Sequence, residues 1–91
     1  MAQYSRKEFE AKVRLGENLE NVDLSNLDLR NAKLRGANLS KSKLTSVRLS
    51  GADLRQTNLS KADMAWANLD RANLEGADLT ETILYNSSLQ E

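Results

Sequence analysis

The sequence has no cysteine, no histidine and no proline. Without Cys and His there is no disulfide framework and no usual zinc ligand set, and most pairings of catalytic nucleophile and base are excluded. Aromatic residues are scarce, with one Trp, two Tyr and one Phe among 91 residues, and the longest apolar run is Met64 to Ala67. Such a run is too short to cross a bilayer, and Arg6, Lys7, Glu8 and Glu10 stand where a signal peptide needs an apolar stretch. An excess of either charge is missing too. Lys plus Arg number 13 and Asp plus Glu 13, so neither the basic footprint of a nucleic-acid binder nor a polybasic membrane-binding run is present. The expectation is a soluble, cytoplasmic, single-domain protein without nucleic acid, membrane, cofactor, metal or small-molecule substrate as partner.

What the sequence does have is a repeat. Leu stands at every fifth position from Leu19 to Leu89, with Met64 as the one substitute, so all 15 pentads from Glu17 to Glu91 carry it. A five-residue period would smear Leu around an α-helix and send it to alternate faces of a flat strand. The chain must therefore turn once per pentad. Two residues before the central Leu the position is small almost throughout, as in Ala32, Ala37, Ala52, Ala62, Ala67, Ala72 and Ala77. One large and one small inward residue flanking an outward one make a narrow wall of a tube. The outward residue between them is Asn or Asp in ten of the 15 pentads, a residue type suited to turns and local backbone bonds. Gly36, Gly51 and Gly76 each fall two residues after a central Leu, where a corner needs positive φ.

The pattern in Ala37-Asn38-Leu39-Ser40-Lys41, Ala52-Asp53-Leu54-Arg55-Gln56 and Ala77-Asp78-Leu79-Thr80-Glu81 resembles the pentapeptide repeat family. The resemblance implies an all-β solenoid, a right-handed quadrilateral β-helix of about four coils in which four pentads complete one square turn. The resemblance covers a repeat region over 17–91, and the residues before it are read as an N-terminal capping helix within 1–16. Departures occur at Glu17, Val22, Leu27 and Val47 in the small position, and at Lys33, Lys43, Arg48, Ile83 and Ser88 in the Asn/Asp position. A twenty-residue leucine-rich repeat, suggested by Leu24, Leu27 and Leu29, leaves the other leucines without a reason.

In such a stack, residues twenty apart are vertical neighbours. Asp23, Lys43 and Asp63 then share a column, as do Asp28 with Arg48 and Lys33 with Asp53, predicting charge ladders of alternating sign. Asn18, Asn38 and Asn58 predict an amide column. The three sequons beginning at Asn38, Asn58 and Asn86 are by-products of the repeat. Before the first coil, Ser5 and Glu8 predict a capping box, Tyr4 and Phe9 a hydrophobic staple, and Gly16 a stop, for a helix over Arg6 to Leu15. Phe9 and Val13 would lie over the first coil. At the other end no such signal appears, which leaves Leu79, Leu84 and Leu89 around an uncovered coil. Either that coil makes a homodimer end to end, or the native chain continues.

Two surface groups are candidates for function. Ala65, Trp66, Ile83 and Tyr85 are predicted on one wall and read as a protein-contact patch or as a surface covered by a neighbouring segment. Arg30, Lys33, Arg35, Arg48, Arg55 and Arg71 are interleaved with acids and read as a solvated surface, with no aromatic platform beside them. Catalysis is not expected, because Ser40-Lys41 and Ser60-Lys61 lie on a flat wall without pocket or oxyanion hole. Three roles follow: an interaction scaffold for a protein partner, the structural N-terminal part of a longer repeat protein, or a DNA mimic acting on a type II topoisomerase. The last comes from the resemblance and is opposed by charge. A rod of this height imitating duplex DNA needs a net charge near about −10, whereas the repeats carry 9 basic and 11 acidic residues, a net of −2.

Overall fold

Parallel bridges join residues twenty apart throughout the repeat, from Asp23 with Lys43 to Asn68 with Ser88. In the computed structural model, which describes residues 2–90, each pentad from Val22 onward contributes a single bridging residue and then turns. Among the described residues there is one regular helix, α1, over Arg6–Arg14. Turning every fifth residue leaves no wall long enough for a continuous strand, so the β character resides in the vertical pairing alone.

Why a chain can turn this often without orphaning its backbone is visible in Ala52–Gln56. The Ala52 N–H donates to Leu49 C=O at 3.0 Å, closing a turn, and Asp53 N–H donates to Ala32 C=O in the preceding coil at 2.9 Å. Leu54 and Gln56 donate to Asn73 and Glu75 in the following coil at 2.8 and 2.9 Å. The fifth donor, Arg55 N–H, finds the Asp53 side chain at 3.2 Å. Buried or constrained N–H groups must be paired, and in the ten pentads that have an Asp or Asn at this position its side chain supplies the one acceptor the ladder lacks. All ten Asn and Asp residues at this position do so, each accepting from the N–H two residues on.

The corner residue two after each central Leu has positive φ at every position from Asn21 to Asn86. A turn closed by an i to i+3 bond with positive φ at its third residue is type II, which favours Gly or Asn there. Beyond the three glycines that the sequence places at such corners, Lys41, Gln56, Lys61, Trp66, Arg71 and Glu81 are held in this geometry as well. An L-residue with a side chain is disfavoured there by about 1–2 kcal/mol. Lys61, exposed at φ 60°, is the clean test. Changing Lys61→Gly is expected to raise stability by about 0.5–1 kcal/mol after the greater chain entropy of glycine is subtracted. Lys43→Gly, at an extended bridging position, should lower it. Urea midpoints moving in the same direction for both would disprove the assignment of strain to the corner.

Inside the tube, Leu24, Leu29, Leu34, Leu44, Leu54, Leu59 and Met64 are fully buried, with Ala32, Ala52, Ala62 and Ala67 between them. Four hydroxyls occupy small positions by bonding to main-chain carbonyls: Ser42 Oγ donates to Leu19 C=O at 3.2 Å, Thr57 Oγ1 to Leu54 C=O at 2.8 Å, Thr82 Oγ1 to Leu59 C=O at 2.8 Å and Ser87 Oγ to Leu84 C=O at 2.7 Å. Among the described residues no buried side-chain polar atom lacks a partner.

Helix α1 begins at N-cap Ser5, whose Oγ accepts the Glu8 N–H while the Glu8 carboxylate accepts the Ser5 N–H at 2.9 Å. It ends in a Schellman arrangement: Gly16 N–H donates to Val13 C=O and Glu17 N–H to Lys12 C=O, with Gly16 at φ 71°. Phe9 is fully buried in the same apolar cluster as Leu19, Val22 and Leu24, and Tyr4, Val13 and Leu27 pack against that cluster. Gln3, which the sequence did not single out, stands in for a missing coil. Its N–H donates to Asp23 C=O at 2.6 Å and its side-chain oxygen accepts the Asp23 N–H at 3.2 Å.

Candidate interaction surface

Corner geometry determines what the surface displays. A side chain on a left-handed corner residue projects from the edge between two walls, and at Trp66 (φ 64°) the projecting group is the single tryptophan of the chain. Tyr85 follows in the next coil, where its C=O accepts the Trp66 N–H at 2.8 Å. That bond sets the two rings edge to face, with centroids 6.0 Å apart and planes at 78°. Such a pair contributes about 0.5–1.5 kcal/mol beyond burial. Trp66 is 61% exposed and Tyr85 67%. Ile83, bridged to Asp63 in the column alongside, is 50% exposed, and Ala65 is half-buried. The four residues named from the sequence thus share one wall and its corner.

On the adjoining wall the picture differs from expectation. The basic residues were read as having no aromatic neighbour, yet Trp66 lines one shallow groove of about 400 Å³ with Arg30 and Arg48. The rest of its lining comes from Ser46, Val47, Ser50 and Asn68. Sequence reasoning treats the aromatic patch and the basic residues as two separate surface groups and does not bring Trp66 and Arg48 together across the corner.

The charge ladders also need correction. Asp28 and Arg48 are bridged neighbours, as are Lys33 and Asp53, but neither pair forms an ion pair. Each carboxylate instead holds a residue of its own pentad. Arg30 clasps Asp28 with bonds of 2.9 and 2.7 Å, and Arg55 clasps Asp53 with bonds of 2.8 and 2.7 Å. The reason is the turn bond: an Asp oxygen accepting the N–H two residues on is already aimed at the side chain of that residue. Among the described residues, Lys41–Glu20 at 3.6 Å is the one ion pair that crosses between coils of the repeat. The amide column is realised in one step, Asn38 Nδ2 donating to Asn18 Oδ1 at 3.0 Å. Asp70 plays a bridging part, accepting the Ser88 hydroxyl and the Gln90 N–H from the next coil.

These bonds lower carboxylate pKa values. The Arg55 guanidinium, followed by the Arg55 N–H, draws Asp53 down to about 2, and Arg30 holds Asp28 still further below the usual range. A carboxyl group at about 3.9 in the unfolded chain and lower in the folded one adds stability above about pH 4. That stability is lost as pH falls through the folded value. The melting temperature is therefore expected to drop between pH 4 and pH 2. A variant carrying Asp28→Asn and Asp53→Asn, which keeps both turn acceptors, should drop less steeply. Parallel melting curves for the two proteins would refute the role of these bonds.

The C-terminal coil offers a second surface. Leu79 is 36% and Leu89 50% exposed, while Leu84 and Leu74 are partly buried against the core. Around this end, a wider hollow of about 730 Å³ is lined by Leu69, Ala72, Leu74 and Leu89. Among the described residues the N–H groups of Leu74, Leu79 and Leu84 meet no backbone acceptor, whereas their counterparts one coil earlier all do. No cluster of three or more metal-ligating side chains occurs among the described residues, and no helix is long and apolar enough to cross a membrane.

Comparison with known proteins bears on the whole surface. The sequence model described as pentapeptide repeats matches residues 18–51 and 48–86, in eight copies. Among solved structures, a pentapeptide repeat protein from Nostoc Pcc 7120 is 29% identical over 93% of this chain and 75% of its own, with a TM-score of 0.73. A pentapeptide repeat protein from the cyanobacterium Cyanothece 51142 is 26% identical over 96% of this chain and 97% of its own, with a TM-score of 0.44. One from the thylakoid lumen of Arabidopsis thaliana is 26% identical over 93% and 66%, with a TM-score of 0.39. No curated protein is significantly similar in sequence.

Proposed function

The chain belongs to the pentapeptide repeat family, and from that premise we propose that it is a non-enzymatic interaction scaffold which presents the Trp66 wall to a protein partner. Pentapeptide repeat proteins fold as right-handed quadrilateral β-helices, and this chain pairs its residues at the twenty-residue interval that such a coil needs. In this reading residues 17–91 form about four coils, and α1 with Gln3 closes the N-terminal end, as the burial of Phe9 supports. The observation that carries the proposal is the exposed edge-to-face pair of Trp66 and Tyr85. Large aromatic side chains already ordered on a rigid wall lose little freedom on association and are typical anchors of protein interfaces. Trp66 is moreover kept at a corner where glycine is favoured, a local cost that the fold itself does not require.

The test is affinity capture from an extract of the host with the wild-type chain and with the Trp66→Ala, Tyr85→Ser variant as baits. Loss of specifically retained proteins by the variant is expected. If the double variant retains the same proteins in the same amounts, the patch is not the interface.

Self-association through the C-terminal coil is a second reading, favoured by the exposure of Leu79 and Leu89 and by the unpaired N–H groups beside them. Two such ends would cover each other's leucines and supply each other's acceptors. Sedimentation equilibrium should then give a dimer that Leu89→Asp abolishes. A monomer at all concentrations would eliminate this reading and leave the first untouched.

A further inference from the structure

We infer that the groove between Trp66 and Arg48 reads a specific chemistry in its partner: a peptide segment carrying a carboxylate next to an apolar side chain. The inference rests on the interaction reading above and adds to it the identity of what is recognised. Its starting point is an unused cation. Arg48 is exposed and stacks on Asp28, the nearest acid in its column. Asp28, however, is already clasped by the Arg30 fork, and its Oδ1 also accepts the Arg30 N–H at 3.1 Å. Arg48 consequently makes no ion pair and no side-chain hydrogen bond among the described residues, although it faces a carboxylate. Its planar set of donors suits bidentate recognition of a carboxylate.

Donors continue along the groove. The Asn68 side-chain oxygen is occupied by the Asp70 N–H at 3.0 Å, while its amide N–H groups have no partner among the described residues. The Ser46 and Ser50 hydroxyls lie on the same rim. Across the corner the surface changes to Trp66, Tyr85 and Ile83, which are exposed and apolar. An occupant that satisfies both sides must bring one acceptor anion and one hydrophobic group within a few residues of each other.

The charges nearby choose between classes of partner. Asp63 flanks the aromatic wall and Asp70 the donor wall, in the same coil as Trp66. A polyanion such as a nucleic-acid strand would meet these acids along with one guanidinium of the groove that is free among the described residues, so the electrostatic gain from successive phosphates is small there. One carboxylate placed on Arg48 avoids them. Tightly packed coils on both sides keep the site in one arrangement, so association need not order it.

Because Trp66 is the only tryptophan, its emission reports directly on occupancy. A random dodecapeptide display library is selected on the full chain; the enriched peptides are titrated by Trp66 emission against wild type and Arg48→Gln, and by isothermal titration calorimetry against wild type, Arg48→Gln and Trp66→Gly. Both substitutions are at exposed positions, and glycine suits the φ of 64° at the corner; unchanged thermal melts verify that the variants fold. Enriched peptides are expected to share an Asp or Glu adjacent to an apolar residue and to shift Trp66 emission saturably. Their affinity should fall about tenfold or more in Arg48→Gln, and by a similar factor when the peptide acid is changed to its amide. Peptides that need Trp66 but bind Arg48→Gln equally well would overturn the inference while leaving the interaction reading standing. Enrichment of nothing that depends on Trp66 would overturn both. A single-stranded oligothymidylate that shifts the emission with steep salt dependence, where the peptides do not, would assign the groove to nucleic acid and likewise overturn the inference.

Discussion

Replacing Leu54 with alanine is expected to lower the unfolding free energy by about 3–5 kcal/mol, against about 1 kcal/mol for Leu89→Ala. Both are central leucines of their pentads, yet Leu54 is fully buried with coils on either side and Leu89 is 50% exposed. The tube explains why the cost at Leu54 lies toward the upper end for such substitutions. Its neighbours in the interior belong to pentads whose backbones are pinned by bonds to the coils above and below, so the wall cannot collapse into the cavity. Total stabilities of small domains are about 5–15 kcal/mol, and a loss of this size leaves the variant near its threshold. Urea denaturation of the two variants decides the matter. Equal midpoint shifts would mean that the repeats are stabilised locally, pentad by pentad, and not by stacking.

The second large effect concerns the other end. Phe9→Ala should cost about 3–5 kcal/mol although Phe9 belongs to a helix of nine residues. An isolated helix of that length is marginal in water, and the Ser5–Glu8 box and the Gly16 terminus set its ends without supplying enough to hold it. Its docking depends on the one fully buried side chain that it contributes to the core cluster. The expected signature is loss of the helical circular dichroism signal before the repeats unfold. Rapid hydrogen exchange should follow at the Asp23 N–H, whose acceptor is the Gln3 side chain. A cost under about 1 kcal/mol with α1 intact would show that the caps alone sustain the helix.

Much of this architecture is legible residue by residue. The Leu period requires a turn every five residues, and the Asn or Asp before each Leu is legible as a turn residue. The structure adds its reason, an acceptor for the N–H two positions on. The Gly16, Ser5 and Glu8 signals likewise specify local bonds that form within a few residues of one another. Where sequence reasoning fell short, the missing information was a competition. Arg48 pairing with Asp28 and Arg30 pairing with Asp28 are both allowed by the twenty-residue register, and the turn bond decides for Arg30 by aiming the carboxylate within its own pentad. Gln3 carried no signal at all, since a lone polar residue before a helix does not reveal that its main chain and side chain will pair with Asp23.

By itself, then, the sequence determined the period, the inward leucines, the small residues between them and the turn acceptors, because each of these is a local demand that recurs in most or all of the pentads. Which surface groups meet was decided only by the tertiary structure. Trp66 reaches Tyr85 through one inter-coil hydrogen bond, and it comes to share a groove with Arg48 because a left-handed corner residue projects between two walls. Those contacts depend on direction in three dimensions, and a five-residue period fixes spacing along the chain without fixing where a corner side chain points.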